Sequence, residues 1–235
     1  ASRFPEGFPD SGGATAGLFD DSRIRWADEA LHELGSGFRD ASVLELGPLE
    51  GAHTFMLSRL GAKEIVAIEA NARAYLKCLV VKEIFDIRHA RFLLGNALPY
   101  LRAHARDFDV GVACGFLYHL VRPVEVIELL AKQCRAVFLW TVVHHPTLFK
   151  NHPGMEQSFG PPQRVEWAGF AHTLHPHFYG DGVDYRKFWG GTEPSCCWME
   201  QEDVLRALRH FGFTRITHRE EDNPFGRAIA VVARR

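Results

Sequence analysis

The residues most able to do chemistry cluster first at Val43-Leu44-Glu45-Leu46-Gly47-Pro48-Leu49-Glu50-Gly51, an apolar run with one acid that breaks into a glycine turn. Gly47 and Gly51 allow backbone to approach a ligand with no Cβ in the way. Glu69 lies about 22 residues beyond Gly47, roughly where nucleoside-binding sheets carry an acid that accepts ribose hydroxyls. The plainer alternative is a strand-turn-helix with a solvent-facing glutamate. A dinucleotide fingerprint requires GxGxxG, but Leu49 and Ala52 stand at its second and third glycines. Glu45 would also repel a pyrophosphate and suits a ligand that carries positive charge.

Histidines supply the second set of candidates. Tyr118 and His119 follow the fourth apolar run, and His144 and His145 follow the fifth. An imidazole there has the near-neutral basicity to deprotonate a hydroxyl or amine; a helix-terminal hydrogen bond for His119 and a bland surface pair for His144 and His145 are the alternatives. His172, His175 and His177, with Asp181 or Asp184, raise the question of a metal. Tetrahedral sites usually show Cys or Glu at recognisable spacings, so no metal is expected. Trp167, Phe170, Tyr179, Tyr185, Phe188 and Trp189 suit either an aromatic acceptor pocket or a small core of their own.

The elements that position these residues follow from periodicity. Helical spacing of Ile24, Ala27, Leu31 and Leu34 predicts a helix over 20–34, and Ala52, Phe55, Met56 and Leu60 predict another. Asn71 is a helix cap, ahead of a helix expected to bury Ala72, Tyr75, Leu76, Leu79 and Val80. Apolar runs at 43–46, 65–68, 91–94, 108–113 and 136–142 read as buried parallel strands. From 144 to 195 the rhythm gives way to proline, aromatic residues and histidine, which predicts an ordered cap insertion. A helix around 199–211 and strands near 213–218 and 227–232 close the pattern. The expected fold is α/β, a doubly wound, mostly parallel seven-stranded Rossmann-like sheet. Residues 1–40 form a tail and helix covering the ligand site; 41–235 form the main domain.

Composition narrows the partners. The chain has 235 residues, 46% of them hydrophobic, and a net charge of −2. No basic field advertises nucleic acid or an anionic membrane. No apolar run reaches the ~18–20 residues that span a bilayer, and no signal-peptide core opens the sequence. The cysteines (Cys78, Cys114, Cys134, Cys196 and Cys197) are odd in number and form no CxxC pair, so a reducing, cytoplasmic setting is expected. Oligomeric state is left open.

The charge argument at Glu45 favours S-adenosyl-L-methionine, with its sulfonium and ammonium, over NAD. The same stretch resembles motif I of class I S-adenosylmethionine-dependent methyltransferases, an acid followed by GxGxG. Glu45, Gly47 and Gly51 match; Leu49 replaces the middle glycine and Pro48 is unusual. Ile65 to Ala70 resembles motif II, which implies a ribose contact for Glu69 beside Ala70. Leu94-Gly95-Asn96-Ala97 resembles the motif that meets adenine, although Asn96 equally suits a helix cap. Cys114-Gly115-Phe116-Leu117-Tyr118-His119 resembles a segment of the tRNA wobble-uridine carboxymethyltransferase-like group. So do the Leu18 to Trp26 stretch with Arg25, Phe138 to Thr141, and Asn223 to Gly226. Tyr118 would then rest its ring on sulfonium or adenine, a contact worth roughly 0.5–2 kcal/mol. The carboxymethylating enzymes hold an extra carboxylate with lysines; Arg23 and Arg25 stand here, which implies plain S-adenosylmethionine. Three functions remain: methyl transfer to a small molecule, tRNA modification, and binding without catalysis.

Overall fold

A computed structural model describes residues 4–5, 17–180, 193–223 and 226–235. Its strands are β1 (Ser42–Leu46), β2 (Glu64–Glu69), β3 (Ala90–Leu94), β4 (Phe108–Cys114), β5 (Cys134–Val142), β6 (Gln163–Trp167), β7 (Phe170–Phe178), β8 (Ser195–Met199), β9 (Arg215–Asn223) and β10 (Gly226–Arg234). The helices are α1 (Ser22–Glu33), α2 (Ala52–Arg59), α3 (Ala72–Ile84), α4 (Ala97–Ala103), α5 (Pro123–Gln133), α6 (Leu148–Asn151) and α7 (Gln201–His210). Seven strands form one sheet in the order β3-β2-β1-β4-β5-β10-β9. β1 pairs in parallel with β2 and β4, and β2 with β3. β9 and β10 pair antiparallel. This is the Rossmann-like sheet that the alternation of apolar runs and helical spacings predicts. Among the described residues no helix is long and apolar enough to cross a membrane.

The chain divides into two compact units, Ala1–Val112 with Cys134–Ala136, and Ala113–Gln133 with Val137–Arg235. In the first, Asp21 caps α1 by accepting from Arg23 N, and the α1 face of Ile24, Ala27, Ala30 and Leu31 is buried. Phe19 and Phe55 lie 5.5 Å apart, and Phe55 and Phe85 4.5 Å, so the approach to α1 is pinned to α2 and the end of α3.

The face of α3 corrects the sequence expectation. Ala74, Cys78 and Val81 are buried, whereas Ala72 is exposed, Tyr75 half-buried, Leu79 exposed, and Leu76 and Val80 are 60% and 54% exposed. The helix is apolar nearly all round, so its spacing selects no face. The neighbour decides instead: a Cβ on Gly51 would stand 3.3 Å from the Cys78 Cα, so α3 lies with that stripe against the glycine turn.

In the second unit the stretch expected to lack regular period holds a three-stranded antiparallel sheet, β6-β7-β8. β7 alternates at Phe170, His172 and Leu174, which are buried, but Pro176 inside it removes a backbone donor and breaks the usual strand signature. β8 occupies Met199, which the helical spacing had assigned to the start of the next helix; α7 begins at Gln201.

The β1–α2 turn fixes the site's frame. Gly47, Leu49 and Gly51 have φ of 69°, 56° and 80°. Leu49 therefore holds the left-handed conformation that the absent middle glycine would adopt freely, at a cost of roughly 1–2 kcal/mol. Replacing it tests this directly. Leu49→Gly should be more stable than Leu49→Ala by about 1 kcal/mol in urea unfolding. The opposite order, normal for Ala against Gly elsewhere, would contradict the left-handed turn.

Candidate functional site

In the first unit, two carboxylates stand at the carboxyl ends of adjoining strands. Glu69, the last residue of β2, accepts from Leu49 N through Oε2 at 3.0 Å and from Asn71 N through Oε1 at 2.8 Å. Burial raises its carboxyl, and backbone hydrogen bonds from Asn71, Leu49 and Ala70 oppose that rise. Glu45, near the end of β1, is 2% exposed. Burial pushes its carboxyl up to about 7, against the lowering effect of the Thr54 hydroxyl, 2.5 Å from Oε2, and of nearby His53. The charge of Glu69 adds to the rise.

The turn between these acids is held by Gly47 N donating to Ile68 O at 3.0 Å and Gly51 N to Pro48 O at 2.9 Å. Pro48 is buried and Ala70 exposed. Gly95 N donates to Glu69 O at 2.9 Å, which brings the β3–α4 turn beside the same strand end. Asn96 caps α4, its Oδ1 accepting from Leu98 N at 3.0 Å, and Ala97 is buried behind it. Glu45, the glycine turn, Glu69 and this cap thus come together. The exposed Arg25 guanidinium pairs with Asp20. Trp26 is half-buried on α1.

Three polar residues of this unit were missed by the sequence reading. Thr54 and His53 are buried in the first turn of α2. His53 Nε2 lies 2.9 Å from Asp21 Oδ2, and Arg23 donates to the same carboxylate. Burial would raise Asp21, but the hydrogen bonds and charges of His53 and Arg23 outweigh it and hold the carboxyl well below the usual range. The available signal was a polar pair, His53-Thr54, inside the buried first turn of α2.

In the second unit, Cys114 ends β4 half-buried, and a Cβ on Gly115 would lie 3.7 Å from the Tyr118 hydroxyl. The Tyr118 ring packs 4.1 Å from that of His119 and edge-on to Trp140 and Trp198. His119 Nδ1 is 3.1 Å from the Tyr179 hydroxyl, so its partner is a long-range one rather than a helix terminus. Burial, reinforced by His177, pushes His119 down to about 4. Burial pushes Tyr179 above its usual range and Cys196 up to about 11. Cys196 Sγ lies 3.7 Å from His177 Nδ1. Tyr179, His177 and Cys196 complete a cluster that no spacing announced, since β7 and β8 bring them together.

His145 shares Thr147 and Arg227 as partners at 2.9 and 3.2 Å. His144 stacks face to face on His175, ring centroids 3.5 Å apart. Two of the aromatic residues expected at an acceptor pocket or in a small core of their own have these partners. Trp167 donates to Glu128 Oε2 on α5 at 2.7 Å, and Phe170 packs on His172 with Arg206 over its face. Asp181, Asp184, Tyr185, Phe188 and Trp189 lie outside the described residues.

No protein-family model matches the chain, and no curated protein matches it significantly. Solved structures do. The N-terminal domain of EvdMO1 with SAH bound superposes with a TM-score of 0.69 at 20% identity, covering 94% of this chain and 82% of that one. A Burkholderia thailandensis 1,6-didemethyltoxoflavin-N1-methyltransferase with its acceptor and S-adenosylhomocysteine gives 0.57 at 17% identity, covering 92% and 79%. Magnesium protoporphyrin IX methyltransferase from Synechocystis PCC 6803 with SAH gives 0.61 at 13%, covering 96% and 90%. What is shared is the fold.

The raised Glu45 carboxyl has a consequence for stability. The folded protein holds this proton more tightly than the unfolded chain does, so burial is tolerated below the unfolded value of 4.5 and opposed above about 7. Stability contributed at this residue should therefore fall as pH rises through that window, by up to about 3 kcal/mol. Glu45→Gln should remove the fall. Urea midpoints at about pH 5 and about pH 8, compared between the two proteins, measure it. An identical pH dependence in both would contradict the assignment.

Proposed function

We propose that the chain is an S-adenosyl-L-methionine-dependent methyltransferase acting on a small-molecule acceptor. The observation that carries this reading is the pair of acids, Glu45 and Glu69, at the carboxyl ends of β1 and β2. A pyrophosphate would add charge to a place that already disfavours it. A sulfonium and ammonium would relieve the buried acid.

The residues present fit that cofactor. Glu69 accepts from the backbone of Leu49, Asn71 and Ala70, and its two oxygens keep acceptor capacity for the ribose. Gly47, Pro48 and Gly51 shape the turn along which the amino-acid portion would lie, with Ala70 and Ala97 flanking the nucleoside. The Asn96 oxygen is committed to its cap, so its NH2 would face an adenine ring nitrogen. Cys114 and Tyr118, in the second unit, are retained as candidate cofactor residues on the motif resemblance alone. Arg25, exposed and paired with Asp20, and Trp26 lie in an N-terminal segment proposed to cover the cofactor.

The cofactor supplies an electrophilic methyl group. What the chain supplies is position and, where the acceptor bears a proton, a base. Of His119, His144 and His145, we assign that role to His119. Burial keeps it neutral at physiological pH, as a weaker base than a free imidazole. In the tautomer whose Nδ1–H donates to Tyr179, Nε2 is left to take a proton. His145 is held by Thr147 and Arg227, and His144 by its stack on His175. The insertion over 144–195, with its histidines and aromatic rings, is proposed as the acceptor's cap. The compounds named for two SAH-bound methyltransferases with this fold, 1,6-didemethyltoxoflavin and magnesium protoporphyrin IX, are small molecules and support this acceptor class.

Calorimetric titration with S-adenosylhomocysteine tests the reading. The wild-type protein should bind it, and Glu69→Ala should weaken binding by about tenfold or more, the weight of hydrogen bonds to a charged group. Because Glu69 also holds the turn, Glu69→Gln serves as the milder companion and should weaken binding too. Unchanged affinity in either folded variant would defeat the site.

A further inference from the structure

A second site of a different kind lies in the second unit, on residues to which the proposed reaction gives no chemical step. His144 follows β5, His175 lies on β7, and Glu200 follows β8. Each offers one ligand atom, and these atoms all lie within 4.8 Å of one another. His175 Nε2 is already 3.0 Å from Glu200 Oε1.

Backbone bonds lock the arrangement. His144 N donates to Met199 O at 2.8 Å, His144 and Glu200 form a parallel bridge, and His175 pairs with Trp198 across β7 and β8. Three separate chain segments are thus held so that two imidazoles and one carboxylate converge. His175 is 6% exposed, while the Glu200 side chain is half exposed, which gives an ion a path from solvent. A cavity of about 200 Å³, lined in part by Phe149, Phe159 and Glu156, opens beside His144 and His175.

We propose that His144, His175 and Glu200 form a binding site for a divalent first-row transition metal, Zn2+ above all, with its remaining coordination position open to this cavity. Two histidines and one glutamate are a ligand set that Zn2+ uses where it keeps a fourth position for water or another oxygen ligand. Bonds of about 2.0–2.2 Å bring tetrahedral ligands to a little over 3 Å from one another, close to the His175–Glu200 separation. The His144 ring must tilt out of its stack to aim its nitrogen at the same point. Mg2+ prefers all-oxygen surroundings and fits poorly. The sequence reading sought a metal among His172, His175 and His177. Of these only His175 belongs to the cluster, because His172 turns to Phe170 O and His177 to Cys196.

The test uses the full chain after dialysis against a chelator, titrated with Co2+ and followed by visible absorption, with Zn2+ as competitor. One Co2+ per chain should bind with the intense bands of a four-coordinate ion, and equimolar Zn2+ should displace it. Glu200→Gln and His144→Ala should each weaken binding by at least about tenfold, since loss of even an outer partner costs that much. His145→Ala should leave it unchanged. Zn2+ should also raise the unfolding midpoint of the wild type and not of Glu200→Gln. If His144→Ala fails to fold, Glu200→Gln alone decides, because its side chain is half exposed and nearly isosteric. Absence of Co2+ and Zn2+ binding to the wild type, full affinity in folded Glu200→Gln, or equal binding of Mg2+ would each overturn the site. None of these outcomes bears on the Glu45–Glu69 assignment, which concerns the other unit.

Discussion

The hydrogen bond from Leu49 N to the Glu69 carboxylate ties the glycine turn of β1 to the end of β2, and the rest of the first unit is arranged around it. The turn passes through three left-handed residues, one of them a leucine that resists this conformation. A charged acceptor offers compensation that a neutral one would not. With the turn fixed, Gly51 approaches Cys78 closely and sets which stripe of α3 is buried. The same geometry carries Thr54 to Glu45 and His53 to Asp21. One carboxylate therefore shapes the frame and, in the proposed function, holds the ribose.

Much of the fold was legible because buried parallel strands write themselves as short apolar runs, as at Ile65 to Ile68 and Phe108 to Ala113. Helix caps were legible for the same local reason: Asn71 and Asn96 satisfy orphan backbone donors within three residues of themselves. What depends on a distant partner was not. The buried face of α3 is chosen by Gly51, not by the helix's own pattern. β7 carries a proline and three histidines, so its alternation is hidden until β6 and β8 flank it.

The site divides along the same line. Glu45 and Glu69 are visible from their places relative to strand ends. Thr54, which bonds Glu45, and His53, which lies near it, could be sought only as a buried polar pair at the start of a helix. In the second unit, the sequence shows a density of histidine and aromatic residues without saying which serve packing. Trp167 and Phe170 pack on helices, whereas Tyr179, named alongside them, meets His119. Glu200 attracts no notice in the sequence, since nothing in its spacing relates it to His144 or His175.

The central claim is that the acid-flanked turn takes a cationic adenosyl ligand rather than a dinucleotide. Native mass spectrometry of the folded chain, titrated in parallel with S-adenosyl-L-methionine and NAD, tests it most directly. The account predicts one S-adenosylmethionine per chain, lost on Glu69→Ala, and no retention of NAD. Stable NAD binding, with S-adenosylmethionine failing to bind, would contradict it.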